Sequence, residues 1–239
     1  MSPTSPGTAS QPCFITPLRP WRSELWAKDA ETRLPSGDLI DLIYIHGQAV
    51  TIDRDEALFC EKDRADAVYV VIAGTVRCFK ILPDGRRQII RFHQPGSLLG
   101  LNLGDDCLYS AEGVTKVRLR RLGRARLEML LEQRPQLRGQ LVSIAIGELE
   151  AAQNQILLLG RKTARERVCS FLLERAASKQ NKVELPMSRT DIADYLGLTI
   201  ETVSRTFSQL RSEGLVHMAC SNTLELTDLE RLSEMADAA

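Results

Sequence analysis

"MSRTDIADYLGLTIETVSRTFSQLRSEGLV", residues Met187 to Val216, carries the start and stop signals of two short helices joined by a tight turn. Pro186 stops the preceding element. Ser188 with Asp191 three residues on is a capping box, in which the aspartate also complements the positive end of the helix dipole. The spacing therefore predicts a helix from Arg189 to about Leu196. Gly197 supplies the left-handed residue that ends it, and Thr199 caps a second helix. Ile192, Leu196, Val203, Phe207 and Leu210 provide the apolar contacts between the two. Two short helices joined by a turn containing glycine form a helix-turn-helix, whose second helix enters the DNA major groove N-terminus first.

Beyond it, "GLVHMACSNTLELTD" alternates around Ser221-Asn222 and predicts a small β-hairpin wing. Before it, "RKTARERVCSFLLERAASK" places Ala164, Val168, Phe171 and Leu172 on one helical face. Further upstream, from about Gln136 to Leu159, Leu137, Leu141, Ala145, Leu149, Ala152, Ile156 and Leu159 recur at steps of four or three, with Glu148, Glu150 and Gln153 elsewhere. Such a helix is roughly 36 Å long. It is either the pairing seam of a homodimer or a connector docked on its own chain, and the narrow, sustained stripe favours the seam.

From about Asp38 to Arg121 the sequence changes character, to short alternating or apolar runs with turn residues between them: "YVVIAG", "TVRCFKI", "LPDGRRQIIRFHQPG", "TKVRLRRL". Pro83, Asp84 and Gly85 close a hairpin, and Gly96 and Gly100 mark a second corner. Regularly spaced short strands of this kind indicate an all-β barrel or jelly roll. Residues 1–20, rich in Ser, Thr and Pro, read as a flexible tail. The division is then tail 1–20, β-roll 21–123, long-helix region 124–160 and winged helix-turn-helix domain 161–239, an α+β protein.

Composition bounds the function. With 239 residues, 44% hydrophobic and 26% charged, the chain has the profile of a globular protein of about two domains. The longest apolar run, Ala67 to Ala73, falls far short of the roughly 20 residues of a membrane span. The start lacks a signal peptide's basic and apolar segments, so a cytoplasmic location without a membrane partner is expected. Six cysteines without a Cys-x-x-Cys pair fit neither a disulfide framework nor a zinc site, and most are expected to be buried thiols. The net charge of zero conceals an uneven distribution. Lys and Arg outnumber Asp and Glu between Arg161 and Leu224, whereas the segment with Glu225, Asp228, Glu230, Glu234 and Asp237 is acidic.

The second helix exposes Ile200, Glu201, Thr202, Ser204 and Arg205 on its first two turns. Arginine offers a donor fork to guanine O6 and N7, glutamate accepts from cytosine N4, and serine or isoleucine touches a thymine methyl. Glu201 and Arg205, four apart, can therefore read neighbouring base pairs. Alternatively they form only an exposed ion pair, worth a few tenths of a kcal/mol. Ser188, Arg189, Thr199, Thr202, Ser208 and Arg211 surround the motif as candidate phosphate contacts.

A β-roll with "LPDGRRQIIRF" and "PGSLLGL", a long helix, "GRKTARERVCSFLL" and a winged helix-turn-helix with Glu201-Thr202-Val203-Ser204-Arg205, in this order from about Ile40 to Leu229, resemble the CRP/FNR superfamily of bacterial transcription regulators. Within it the chain looks most similar to the FixK-like branch, whose members control low-oxygen, denitrification or nitrogen-fixation genes. The resemblance implies a cyclic-nucleotide-binding-like β-roll and a dimer on the long helix. It further implies binding to a palindromic operator of TTGA-like half-sites, recruitment of RNA polymerase, mainly as an activator, and base reading by Glu201, Ser204 and Arg205. Ile200 stands where the family usually has a polar or small residue, which bears on the outer base.

Departures from the family pattern remove its usual cofactors. Cyclic-nucleotide binders have a Glu after the glycine corner and an Arg-Ser pair, but here Leu101 follows Gly100 and Tyr109 precedes Ser110 and Ala111. A buried phosphate would lack its bidentate partner. The iron–sulfur branch clusters cysteines near the N-terminus, where this chain has only Cys13, and Cys60, Cys78 and Cys107 lie in separate β segments. No cofactor is expected. Catalysis is set aside too, since His46 and His93 are the only imidazoles of the β region. The alternative is an effector-dependent sensor of the same fold, taking haem or another small ligand, or a thiol-redox switch through Cys169 or Cys220. Finally, Ala238 and Ala239 end the sequence like the tags of bacterial ATP-dependent proteases, a candidate handle for turnover.

Overall fold

The computed structural model describes residues 38–102, 104–176, 181–220 and 222–237. The 1–20 tail, Cys13, Ser221 at the wing turn, and the Ala238-Ala239 handle lie outside the described residues.

The β region opens on a helix, α1 (Leu39–His46), rather than on a strand. Leu39, Ile40 and Ile43 share one side of it and are buried. An apolar run this short does not distinguish strand from helix by periodicity, and here the helical spacing wins. Eight strands follow: β1 (Gln48–Ile52), β2 (Ala57–Phe59), β3 (Ala67–Ala73), β4 (Val76–Ile81), β5 (Arg87–His93), β6 (Leu98–Leu99), β7 (Ser110–Gly113) and β8 (Val117–Gly123). They form two antiparallel sheets, ordered β1-β8-β3-β6 and β2-β7-β4-β5. This is the expected β-roll. The β4–β5 hairpin turns at Gly85 with φ of +84°, a left-handed conformation that glycine adopts freely.

Strand β3 explains why "AVYVVIA" is apolar throughout. Val71 packs between the sheets with Phe59, Cys78, Leu99 and Leu119, while Val68, Val70 and Ile72 point the other way, onto α1 and α2 (Arg124–Gln133). Alternation sends successive side chains to opposite faces, and both faces are covered.

The helix α3 (Gln136–Arg161) follows, separated from α2 by the break at Arg134-Pro135. The seam expected along it is split by the structure. Leu137 is fully buried within its own chain, Leu141 packs on the same cluster, and Leu159 packs on the C-terminal core. Leu149 and Ile156, in contrast, are 58% and 69% exposed. Helical drift is the cause: at 3.6 residues per turn each four-residue step advances about 40°, so Leu137 and Leu149 lie about 120° apart. Ala145, Leu149, Ala152 and Ile156 fall on a second face, together with the exposed Val142 and Ile146. The stripe is thus divided: Leu137, Leu141 and Leu159 dock on the chain itself, and the other four face outward.

The C-terminal part contains α4 (Ala164–Ala176), β9 (Lys182–Glu184), α5 (Arg189–Leu196), α6 (Ile200–Ser212), β10 (Val216–Cys220), β11 (Thr223–Leu226) and α7 (Leu229–Ala236). The wing is a three-stranded sheet, β10-β11-β9, rather than a bare hairpin. The short β9 was not foreseen, since three residues carry no periodicity. Its core of Val168, Phe171, Leu172, Ile192, Leu196, Val203, Phe207 and Leu210 continues into Phe79, Ile89 and Phe92 of the β-roll. Phe92 meets Tyr195 at 5.4 Å between ring centroids.

Candidate nucleic-acid interface

The turn between α5 and α6 is built as its sequence requires. The Ser188 hydroxyl accepts from the Asp191 amide at 3.0 Å, and Asp191 Oδ2 accepts from the Ser188 amide at 3.1 Å and its hydroxyl at 2.8 Å. Gly197 is left-handed, with φ of +60°, and Thr199 caps α6 by accepting from the Thr202 amide at 3.2 Å. Arg167 braces the corner from α4. Its guanidinium donates to the carbonyls of Leu196 at 2.9 Å and Leu159 at 2.8 Å, so it holds the C-terminal ends of α5 and α3 together and complements both helix dipoles.

Helix α6 buries Val203, Thr206, Phe207 and Leu210 and turns Ile200, Glu201, Ser204 and Arg205 to the outside. All four candidate base readers therefore lie on one exposed surface. The Glu201 carboxyl is held below its ordinary range by its own backbone amide and the Thr199 hydroxyl, with Arg205 contributing less. Among the described residues no salt bridge joins Glu201 to Arg205, although the Arg205 cation is near enough to help hold the carboxyl low.

The six candidate phosphate contacts differ from one another. Arg189 lies 3.6 Å above the Phe207 ring, a cation–π placement that fixes a long side chain. It lines a cleft between α6 and the wing together with Ser204, Ser208, Arg211, Met218 and Leu224. Arg211 is exposed at its far end. Thr199 and Thr202 share a hydroxyl–hydroxyl contact of 3.1 Å at the start of α6. Ser188 is engaged within the chain: both its amide and its hydroxyl donate to Asp191. Ser208 likewise donates its hydroxyl to the Ser204 carbonyl at 2.9 Å. In both cases a serine beside a backbone acceptor or a carboxylate satisfies itself locally. Met218, 42% exposed on the wing, borders the cleft and gave no signal in the sequence.

The β-roll interior is filled. Phe59 packs against Tyr69 and Tyr109, each at 5.8 Å between centroids, and Ala111 is fully buried. Leu101 packs on the cluster beneath α1. Burial raises the Tyr109 hydroxyl and the Cys78 thiol well above their ordinary values. The thiols divide as Cys78, Cys107 and Cys169 buried, Cys60 and Cys220 exposed. Cys169 is fully buried, and burial pushes its thiol up to about 11, which disfavours the thiolate on which oxidation depends. His46 is exposed and His93 buried, and among the described residues no group of three or more His, Cys, Asp or Glu is placed to hold a metal. Nor, among the described residues, is any helix long and apolar enough to cross a membrane.

Comparison with known proteins agrees with this geometry. Residues 166–235 match the Crp-like helix-turn-helix domain and residues 49–134 the cyclic nucleotide-binding domain. The chain is 41% identical over 198 residues to the nitrogen fixation regulation protein FixK of Bradyrhizobium diazoefficiens, covering 80% of this chain and 83% of that one. It is 43% identical over 197 residues to the transcriptional activatory protein AadR of Rhodopseudomonas palustris, covering 80% and 82%. The structure of FixK2 from Bradyrhizobium japonicum superimposes with a TM-score of 0.77 at 40% identity, over 81% of this chain and 98% of that one. The chain belongs to the CRP/FNR family of transcription regulators, a family of regulators and not of enzymes, and its relatives within it include FixK proteins.

Proposed function

We propose that this protein is a homodimeric activator that binds a palindrome of TTGA-like half-sites and recruits RNA polymerase to low-oxygen, denitrification or nitrogen-fixation genes, without cyclic nucleotide or iron–sulfur cluster. The observation that carries the DNA reading is the single exposed surface formed by Ile200, Glu201, Ser204 and Arg205 at the capped N-terminus of α6. Base edges are read there. Affinity comes from Arg189 and Arg211 and, at the helix start, from Thr199 and Thr202, with Ser188 and Ser208 supporting the backbone instead.

The outward face of α3 supports the dimer. Val142, Ala145, Ile146, Leu149, Ala152 and Ile156 form an apolar stripe that the chain's own domains leave open. Exposed stripes of this extent mark interaction surfaces, and the spacing suits a second copy of the same helix in parallel. A dimer places two recognition helices to meet two half-sites about one DNA turn apart. The aromatic filling of the β-roll, and the absence of an arginine at Tyr109, favour activity without a bound nucleotide.

The test is binding of the purified protein, under air and without added ligand, to a TTGA-N6-TCAA palindrome and to a scrambled duplex across a salt series. Selective binding to the palindrome is expected, and Arg205→Ala is expected to cost about 1–3 kcal/mol per half-site with relaxed selectivity there. Equal or absent binding of the unaltered protein would overturn the proposal.

A further inference from the structure

Helix α5 touches no base in the reading above, yet side chains of the β-roll and of α3 tether it at both ends. Asp191 is 2% exposed. Its Oδ2 closes the capping box, while its Oδ1 accepts from two arginines of the β-roll, Arg87 Nη2 at 2.7 Å and Arg77 Nη1 at 3.2 Å. Arg87 also donates through Nε to Asp194 at 2.8 Å. At the other end of α5, Gln88 donates to the Asp194 carbonyl and Gln155 of α3 to the Tyr195 carbonyl, each at 2.7 Å. Arg77 is itself fixed from behind, by Glu112 at 2.7 Å and Asp55 at 2.8 Å.

Strand β5 organises most of these contacts. Arg87 and Gln88 hold α5, Arg91 pairs with Glu148 of α3 at 3.2 Å, and Phe92 packs on Tyr195. One strand therefore ties the helix that carries the open apolar stripe to the helix that supports the reading helix. We infer that Arg77 and Arg87 are positioning residues for DNA readout: they clamp α5, and through it α6, at a fixed orientation to α3, so that two paired protomers present their recognition helices at one set spacing. The geometry argues for a clamp that serves binding, because the surface of α6 bearing Glu201, Ser204 and Arg205 stays exposed while the clamp is closed. The inference rests on the proposed dimeric DNA reading.

A clamp of this kind has a signature that a purely structural role lacks. A single half-site needs only an intact reading domain, whereas a palindrome needs two domains at the correct separation. When the competent orientation becomes one among many, apparent affinity falls by the fraction still competent.

The experiment compares the full-length protein with Arg87→Ala and with the conservative Arg87→Lys, on a palindrome and on a duplex with one half-site. Limited proteolysis of the α3–α4 junction at Lys162-Thr163 is followed in parallel. Arg87→Ala is expected to weaken palindrome binding about tenfold with half-site binding unchanged, to speed cleavage at the junction, and to be partly rescued by Arg87→Lys. Unchanged palindrome binding and unchanged cleavage would overturn the clamp, as would an equal loss on both duplexes, which signals a damaged reading domain. If the unaltered protein shows no preference for the palindrome, the proposed function fails by itself, and the cleavage comparison alone decides the clamp.

Discussion

Asp191 performs two tasks with two oxygen atoms, and substitutions can separate them. Asp191→Asn keeps an acceptor oxygen for Ser188 but removes the charge and turns an amide NH2 toward Arg77 and Arg87. Removing one partner of a buried ion pair typically costs about 3–5 kcal/mol. The low end applies, because Arg77 retains Glu112 and Asp55 and Arg87 retains Asp194. Asp191→Ala additionally loses the capping box, worth about 1 kcal/mol. The alanine variant should thus lose about 4 kcal/mol, a large part of the roughly 5–15 kcal/mol that stabilises a typical protein. At about 2–4 °C per kcal/mol for a chain of this size, that corresponds to a fall of about 8–16 °C in melting temperature. Calorimetry and urea titration of the unaltered, Asn and Ala proteins would measure both steps. A double variant, Arg77→Met with Asp191→Asn, should be less destabilised than the two single effects imply, because the partners are coupled. An Asn variant within about 1 kcal/mol of the unaltered protein, or additive effects in the double variant, would refute the assignment of the charge as the dominant contribution.

Other consequences are equally direct. Gly197→Val should destabilise the reading domain by more than the roughly 1–2 kcal/mol that a left-handed conformation costs an ordinary L-residue, whereas Gly197→Asn should cost far less; urea midpoints of the two variants would distinguish them. Ile156→Glu should convert the proposed dimer to monomer in sedimentation velocity without changing the circular dichroism, and an unchanged sedimentation coefficient would exclude the outward face of α3 as the seam. His93 is pushed down to about 3 by burial and by the nearby Arg91 cation, so the unfolded chain takes up a proton near its ordinary value while the native one does not. Its contribution to stability is present at neutral pH and is lost as the pH falls from about 6.5 toward 3, by up to about 1.4 kcal/mol per pH unit. The difference in unfolding free energy between the unaltered protein and His93→Leu should carry that slope, and parallel pH profiles would contradict it.

Legibility in the sequence followed the range of the interactions involved. The helix-turn-helix was readable because caps, a left-handed glycine and a five-residue apolar set act over a few positions, and α5 and α6 run as the spacing requires. The β-roll was readable from its turns. Helix α1 was missed because "LIDLIYIH" has the length and apolarity of a strand. The stripe on α3 was read as continuous because successive four-residue steps look aligned on paper, and only accumulated rotation separates Leu137 from Leu149. Which donors a capping box engages, as at Ser188, emerges only from the geometry, because a sequence gives the residue type and not its hydrogen bonds. The clamp left no local trace at all: Arg77 meets Asp191 across 114 positions, and neither residue type nor spacing announces a partner so far along the chain.

The zero net charge was the least informative number in the sequence, and the structure explains why it does not oppose DNA binding. Electrostatic attraction to phosphates is local, since salt screens exposed charges beyond about 8–10 Å. The acidic C-terminal segment runs from β11 through helix α7, whose Leu232 and Ala236 enter the core, to Asp237, which pairs with Lys162 at 3.2 Å. Arg165 pairs with Glu213, and the arginines of the β-roll are occupied in large part by its own aspartates or by the clamp. Among the described residues, Arg189, Arg205 and Arg211 form no salt bridge. Other described cations form no salt bridge either, among them Arg118 and Arg120 on β8, Arg126 on α2 and Arg138 on α3, so what distinguishes the three is their place on the reading helix and its cleft. A duplex on the reading helix would meet these three guanidinium groups per protomer, one of them held over the Phe207 ring, within the distance over which salt leaves their attraction unscreened.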